Sequence, residues 1–168
     1  MLGPLVQIRG LGCRIVAPGE PNSETEWHQH HRVATDPPSP WFVRPQGLDC
    51  LIYLDEISAD NGPICLRPGS HRDMVKAELP AELYDDLPDQ VELRLPAGSV
   101  LMLHNTLWHR AKPPTAADKK RRLLLLNYTP TWMKRAPYGV KPESGLTRSL
   151  LESDDREAKE LLGVGGYT

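Results

Sequence analysis

Phenylalanine occurs once in this chain. Its core therefore has to rest on Leu, Val, Ile and four Trp. Cysteine is scarce too: Cys13, Cys50 and Cys65 are far apart, and no CxxC spacing offers a zinc ribbon or a redox dithiol. All three are expected to be small buried hydrophobes. Long apolar runs are missing. The longest aliphatic stretch, Leu123–Leu126, is far short of the roughly 20 residues a membrane helix needs. Met1–Gly10 lacks the basic-then-apolar pattern of a secretory leader, so the expectation is a soluble, cytoplasmic protein with no membrane partner. No charge sign dominates either: 20 Lys and Arg against 22 Asp and Glu leave a net charge of −2. Bulk charge of that size argues against a nucleic-acid partner.

Proline is plentiful, with 17 in 168 residues, about twice the usual share of about 5%. Proline breaks helix interiors, which argues against a helical bundle. Short apolar segments separated by turn formers predict strands at Leu5–Ile8, Cys13–Ala17, Leu48–Leu54, Pro63–Leu66, Val91–Leu95, Ser99–His104 and Arg122–Tyr128. Many short strands at this spacing predict a sandwich, jelly roll or barrel. Two helices are expected: a short acidic one over Pro80–Leu87, and one over Asp154–Leu162 capped by Ser153 and stopped by Gly163. Thr131–Gly145 reads as an irregular tail crossing the sheet. The length fits one domain over residues 1–168, with a core at about 5–130 and a C-terminal tail and helix at 131–168.

Three of the six histidines fall in Trp27-His28-Gln29-His30-His31. In an extended segment side chains alternate, so His28 and His30 share a face and could bind one metal ion. A third ligand would come from a distant strand, and His109, following the apolar strand Ser99–His104, is placed to supply it. Set against this, a histidine is more often a satisfied polar residue than a ligand. His31, His71 and His104 are assigned to structure. No catalytic residue is expected beyond the metal ligands.

Four segments in order resemble the phytanoyl-CoA dioxygenase family: Trp27-His28-Gln29-His30, the stretch from Asp60-Asn61-Gly62-Pro63 through Pro68-Gly69-Ser70-His71, Leu107-Trp108-His109, and Arg121-Arg122. The family comprises non-haem Fe(II), 2-oxoglutarate-dependent oxygenases on a double-stranded β-helix, a cupin-like jelly roll. The resemblance implies a mainly β fold, a small-molecule substrate, O2, Fe(II) as cofactor and 2-oxoglutarate as co-substrate. It places His28 and His109 at the family's two histidine ligands. It places Arg121 at the arginine that binds the far carboxylate of 2-oxoglutarate, a pairing suited to a guanidinium fork. Arg122 is expected on the opposite face.

One residue departs from the pattern. His30 stands where the family has an aspartate ligand, giving a set of His28, His30 and His109 with no carboxylate. With iron and 2-oxoglutarate bound, the family's site carries one net negative charge; this set carries none. Three imidazoles also form a known catalytic zinc site. The rival expectations are a three-histidine metal enzyme that does not use 2-oxoglutarate, and an inactive binding relative. A nearby carboxylate such as Asp36 is a weaker substitute, and the bulk of His30 argues against halogenation. The 27 residues before His28 are fewer than the family usually carries there, so the expectation is a compact member, a fragment, or a chain that completes its fold by pairing with a second copy.

Overall fold

A computed structural model of the chain describes residues 2–3, 5–30, 45–72, 82–133 and 145–162. Among the described residues eight strands and two short helices follow one another: β1 (Val6–Val16), β2 (Thr25–His28), β3 (Leu48–Tyr53), β4 (Ile64–Leu66), β5 (Val91–Leu93), β6 (Val100–His104), β7 (His109–Ala111), β8 (Arg121–Pro130), α1 (Gly145–Glu152) and α2 (Arg156–Leu161). The strands make two antiparallel four-stranded sheets, ordered β1-β8-β3-β6 and β2-β7-β4-β5. The two sheets face each other as a jelly roll. No helix among the described residues is long and apolar enough to cross a membrane.

The alternation in β3 shows how the sheets meet. Asp49, Leu51 and Tyr53 are buried, while Cys50 and Ile52 between them are half-buried on the other face. In β8, Arg121 and Leu123 are buried and Arg122 is exposed. The core forms where Leu51, Tyr53, Leu103 and Leu123 of the first sheet meet Ile64 of the second and Ile57, which bridges to Leu95 outside the named strands. A second cluster of Trp27, Cys65 and Leu87, with Trp108 against it, lies behind the second sheet's histidine-bearing end.

The outer face of the first sheet is also apolar. Strand pairing puts Leu11, Leu126, Cys50 and Met102 in one row and Cys13, Leu124, Ile52 and Val100 in the next. Leu11, Ile15, Val100 and Met102 are exposed there.

Several expectations need correction. Leu5–Ile8 and Cys13–Ala17 are parts of one strand, because β1 carries a bulge between Ile8 and Gly10 and continues. Residues 82–87 form turns, not a helix: Asp85 N–H bonds back to the Glu82 carbonyl, and Leu87 N–H is taken by the Gln90 side chain. Asp155 caps α2, accepting from Ala158 N–H at 3.0 Å, while Ser153 Oγ accepts from Asp155 N–H, so the helix begins later. Helix α1 fills ground expected to be irregular or unassigned. Cys13 is exposed because it sits on the outer phase of β1, and Trp132 is exposed beyond the end of β8. His31, Asp36, residues 134–144 of the expected tail, and Gly163 lie outside the described residues.

Candidate metal centre

Strand pairing brings the distant histidines together. β2 and β7 are neighbours, and their register sets His28 opposite His109. Past the end of β2, His30 N–H bonds to the Asn105 carbonyl at 2.9 Å, which turns the chain so that the His30 ring joins the other two. The ring centroids lie 4.2 Å (His28–His109), 4.9 Å (His30–His109) and 5.2 Å (His28–His30) apart. One ligand atom from each of the three lies within 4.8 Å of the others.

The tautomers follow from the acceptors. His28 Nδ1 meets the Glu26 carbonyl at 2.7 Å, and His109 Nδ1 meets the Leu107 carbonyl at 2.8 Å. A carbonyl oxygen can only accept, so each Nδ1 carries the proton and each Nε2 keeps its lone pair. His30 Nδ1 meets Asp49 Oδ2 at 2.5 Å. All three rings are therefore anchored through Nδ1. Burial pushes the His109 imidazole down to about 3, helped by the nearby His28 and His30 rings. Burial also lowers His28, partly offset by its bond to the Glu26 carbonyl. Neutral imidazoles are the form that ligates metal.

Arg121 faces the same pocket, a cavity of about 190 Å³ lined also by Arg14, Tyr53, Leu123, Leu125 and Asn127. Its side chain is 3% exposed. Its Nη1 donates to the Gly62 and Lys112 carbonyls and its Nη2 to the Ser23 carbonyl. No carboxylate pairs with it among the described residues. Burial pulls this guanidinium down to about 10, and pushes the neighbouring Tyr53 hydroxyl up to about 12. A buried cation without an anion is costly, and an anionic ligand would relieve that cost. Arg122, on the opposite face as expected, pairs with exposed-side Asp55.

The two glycine-bearing motifs position these groups. Asn61, 3% exposed, accepts from Ser58 N–H and donates to the Glu56 carbonyl, which ties up its loop. Gly62 follows at φ +82°, and a Cβ there would lie 2.5 Å from Arg121 Nη1 and 2.6 Å from the Lys112 carbonyl. Only glycine lets the backbone come this close to the guanidinium. In the second motif, Ser70 Oγ donates to the Arg67 carbonyl and accepts from Trp108 N–H at 2.9 Å, fixing the residue next to His109. His71 and His104 stack 5.1 Å apart, away from the cluster, with His104 Nδ1 bonded to Thr106. Asp49 and Asn127 are site residues that sequence reasoning missed. The signal was Asp49 on the buried phase of an otherwise apolar strand.

Two facing antiparallel sheets with a cluster of three histidines inside the roll define a cupin-like jelly-roll protein with a candidate metal site. The chain belongs to the phytanoyl-CoA dioxygenase (PhyH) family, whose profile matches residues 11–122. Among curated proteins it is similar to dioxygenase af480 of Aspergillus fumigatus, at 23% identity over 99% of this chain and 51% of the relative. It is also similar to the L-proline trans-4-hydroxylase of Streptomyces griseoviridis, at 26% identity over 70% of this chain and 54% of the relative. The chain thus spans about half the length of the curated relatives it matches. Among solved structures, HygX from Streptomyces hygroscopicus with nickel and 2-oxoglutarate bound shares the fold, with TM-score 0.60 and 17% identity over 77% of this chain and 60% of that one. The nickel complex of the non-haem monooxygenase ThoJ does so at TM-score 0.56 and 20% identity, over 80% of this chain and 48% of that one.

Proposed function

We propose that this chain is the catalytic barrel of a non-haem iron(II), 2-oxoglutarate-dependent oxygenase that hydroxylates a small organic substrate. One observation carries the reading. A single pocket holds three imidazoles anchored through Nδ1 and a buried guanidinium with no carboxylate partner among the described residues. Membership of a dioxygenase family, a hydroxylase among the relatives, and a fold shared with a protein that binds 2-oxoglutarate support it.

The donor set fits a first-row divalent metal, since imidazole nitrogens suit iron, nickel and zinc alike. His28, His30 and His109 would hold the ion through Nε2. Bound iron(II) supplies the activation of O2 that this class of enzyme uses to oxidise C–H bonds. The chain's own residues do the rest. Arg121 binds the far carboxylate of 2-oxoglutarate with the N–H groups its carbonyl partners leave free. Leu123 and Leu125 close the pocket wall and keep water from the space between Arg121 and the histidines.

The test is anaerobic titration of the metal-free protein with Fe(II) and 2-oxoglutarate. The expected result is one metal per chain, a visible charge-transfer band on adding 2-oxoglutarate, and succinate on admitting O2. Among the described residues no carboxylate joins the three histidines, which favours one rival, a three-histidine metal enzyme without 2-oxoglutarate. Stoichiometric metal with no band and no succinate would select that rival.

A further inference from the structure

Among the described residues the histidine set holds no carboxylate, but one lies a single contact away. Asp49 is 3% exposed, on the inward phase of β3. Its Oδ2 accepts from His30 Nδ1 at 2.5 Å, and its Oδ1 accepts from Asn127 Nδ2 on the neighbouring strand β8. The β3–β8 register sets Asp49 directly opposite Asn127. Gly10 of β1 leaves room for this pair: a Cβ there would lie 2.8 Å from Asn127 Oδ1. No Lys or Arg pairs with Asp49 among the described residues. A buried carboxylate whose hydrogen-bond partners are an imidazole and a neutral amide calls for a positive charge beyond that imidazole.

We propose that Asp49 is the positioning residue of the metal centre: through His30 it supplies, from one bond further out, the negative charge that a carboxylate ligand would supply directly. The inference rests on the metal reading of the three histidines. Asp49 acts in three ways. It fixes His30 with the proton on Nδ1 and the lone pair on Nε2. It sets the ring plane from a strand independent of the chain segment that carries His30. It makes the imidazole a stronger donor, as carboxylates behind ligating histidines do. His30 and Asp49 then act as a unit, and the site regains the family's charge count.

The experiment is calorimetric titration of metal-free protein with Ni²⁺ at fixed pH, in four forms: wild type, Asp49→Asn, His30→Asp, and the double variant. In the wild-type background Asp49→Asn is expected to weaken Ni²⁺ binding by about 10–100-fold. In the His30→Asp background no imidazole links Asp49 to the ion, so Asp49→Asn should change binding by no more than about twofold. A merely structural Asp49 would lower affinity in both backgrounds, and that result overturns the proposal. So does an Asp49→Asn affinity within about twofold of wild type. A second readout needs no variant: imidazole ¹⁵N spectra of the Zn²⁺-loaded wild type should show His30 protonated at Nδ1, and metal on Nδ1 overturns the proposal. If wild type takes up no metal, the metal reading itself falls; if it binds metal and Asp49→Asn changes nothing, only this inference falls.

Discussion

Arg121 is held entirely by backbone carbonyls, so its seat is defined by main chain and not by a salt bridge. Arg121→Lys keeps a charge but loses the planar fork. Loss of one charge-assisted bond predicts at least about tenfold weaker 2-oxoglutarate binding. Ni²⁺ affinity should stay at the wild-type level, and titrating both ligands into one preparation separates the two. Gly62→Ala attacks the same seat from the other side. It forces a side chain into φ +82° and against the Lys112 carbonyl. A loss of about 1–3 kcal/mol in urea unfolding is expected, along with weaker 2-oxoglutarate binding. At this scale the grouping of the three histidines was legible from their spacing, and Arg121's place beside them only through the family resemblance. Asp49 was not, because nothing in Leu48-Asp49-Cys50-Leu51 says which strand packs across from it. Its partners, His30 and Asn127, come from segments 19 and 78 residues away.

Among elements, β7 does the most for its length. One of its three residues, His109, belongs to the histidine cluster, and the next, Arg110, secures the turn at 82–87. The Arg110 guanidinium lies 5.8 Å over the Trp27 ring and donates to the Tyr84 carbonyl and to Asp86. Lys112 also reaches Asp86, at 2.9 Å. These contacts explain why the turn needs no helix to stay in place. The hydrogen bond from Lys112 holds the Asp86 carboxyl below its ordinary value, against burial and with help from Gln90 and Arg110. A carboxylate lowered on folding adds stability above its unfolded pKa and loses it as pH falls through the folded one. Asp86→Asn should therefore cost about 1 kcal/mol at neutral pH, and the gap should close in urea titrations taken below about pH 4. Ser70→Ala removes the acceptor for Trp108 N–H. The expected loss is also about 1 kcal/mol, with weaker Ni²⁺ binding because His109 is the next residue. Strand positions were readable from turn formers and apolar runs. The helix expected over Pro80–Leu87 was misread because Asp86 serves Arg110 and Lys112 instead of a helix dipole, a tertiary contact invisible in local pattern.

For the whole molecule, the two sheets have unequal outer faces. The first presents rows of Leu, Ile, Val, Cys and Met, several of them exposed. Apolar patches of this kind invite association. Met102→Lys, on the edge strand β6, should change unfolding stability by no more than about 0.5 kcal/mol and raise solubility, read by light scattering against concentration. A large loss of stability would mean that Met102 is covered. The sandwich class was legible from proline content and strand spacing, and the order of strands within each sheet was not, since it depends on pairings such as β1 with β8, more than 100 residues apart.

Anchoring every imidazole through Nδ1 has a practical outcome. The ring orientations are set by folding, before any ion arrives, so little reorganisation is left to discriminate among ions. An ion held by these three nitrogen donors would follow the general order of divalent affinities, which rises from manganese through iron and nickel to copper. The ion carried by a purified sample would record the medium it came from. On the iron(II) reading proposed above, a nickel affinity column would be enough to load a competing ion, and untreated preparations would look inactive for reasons of supply alone.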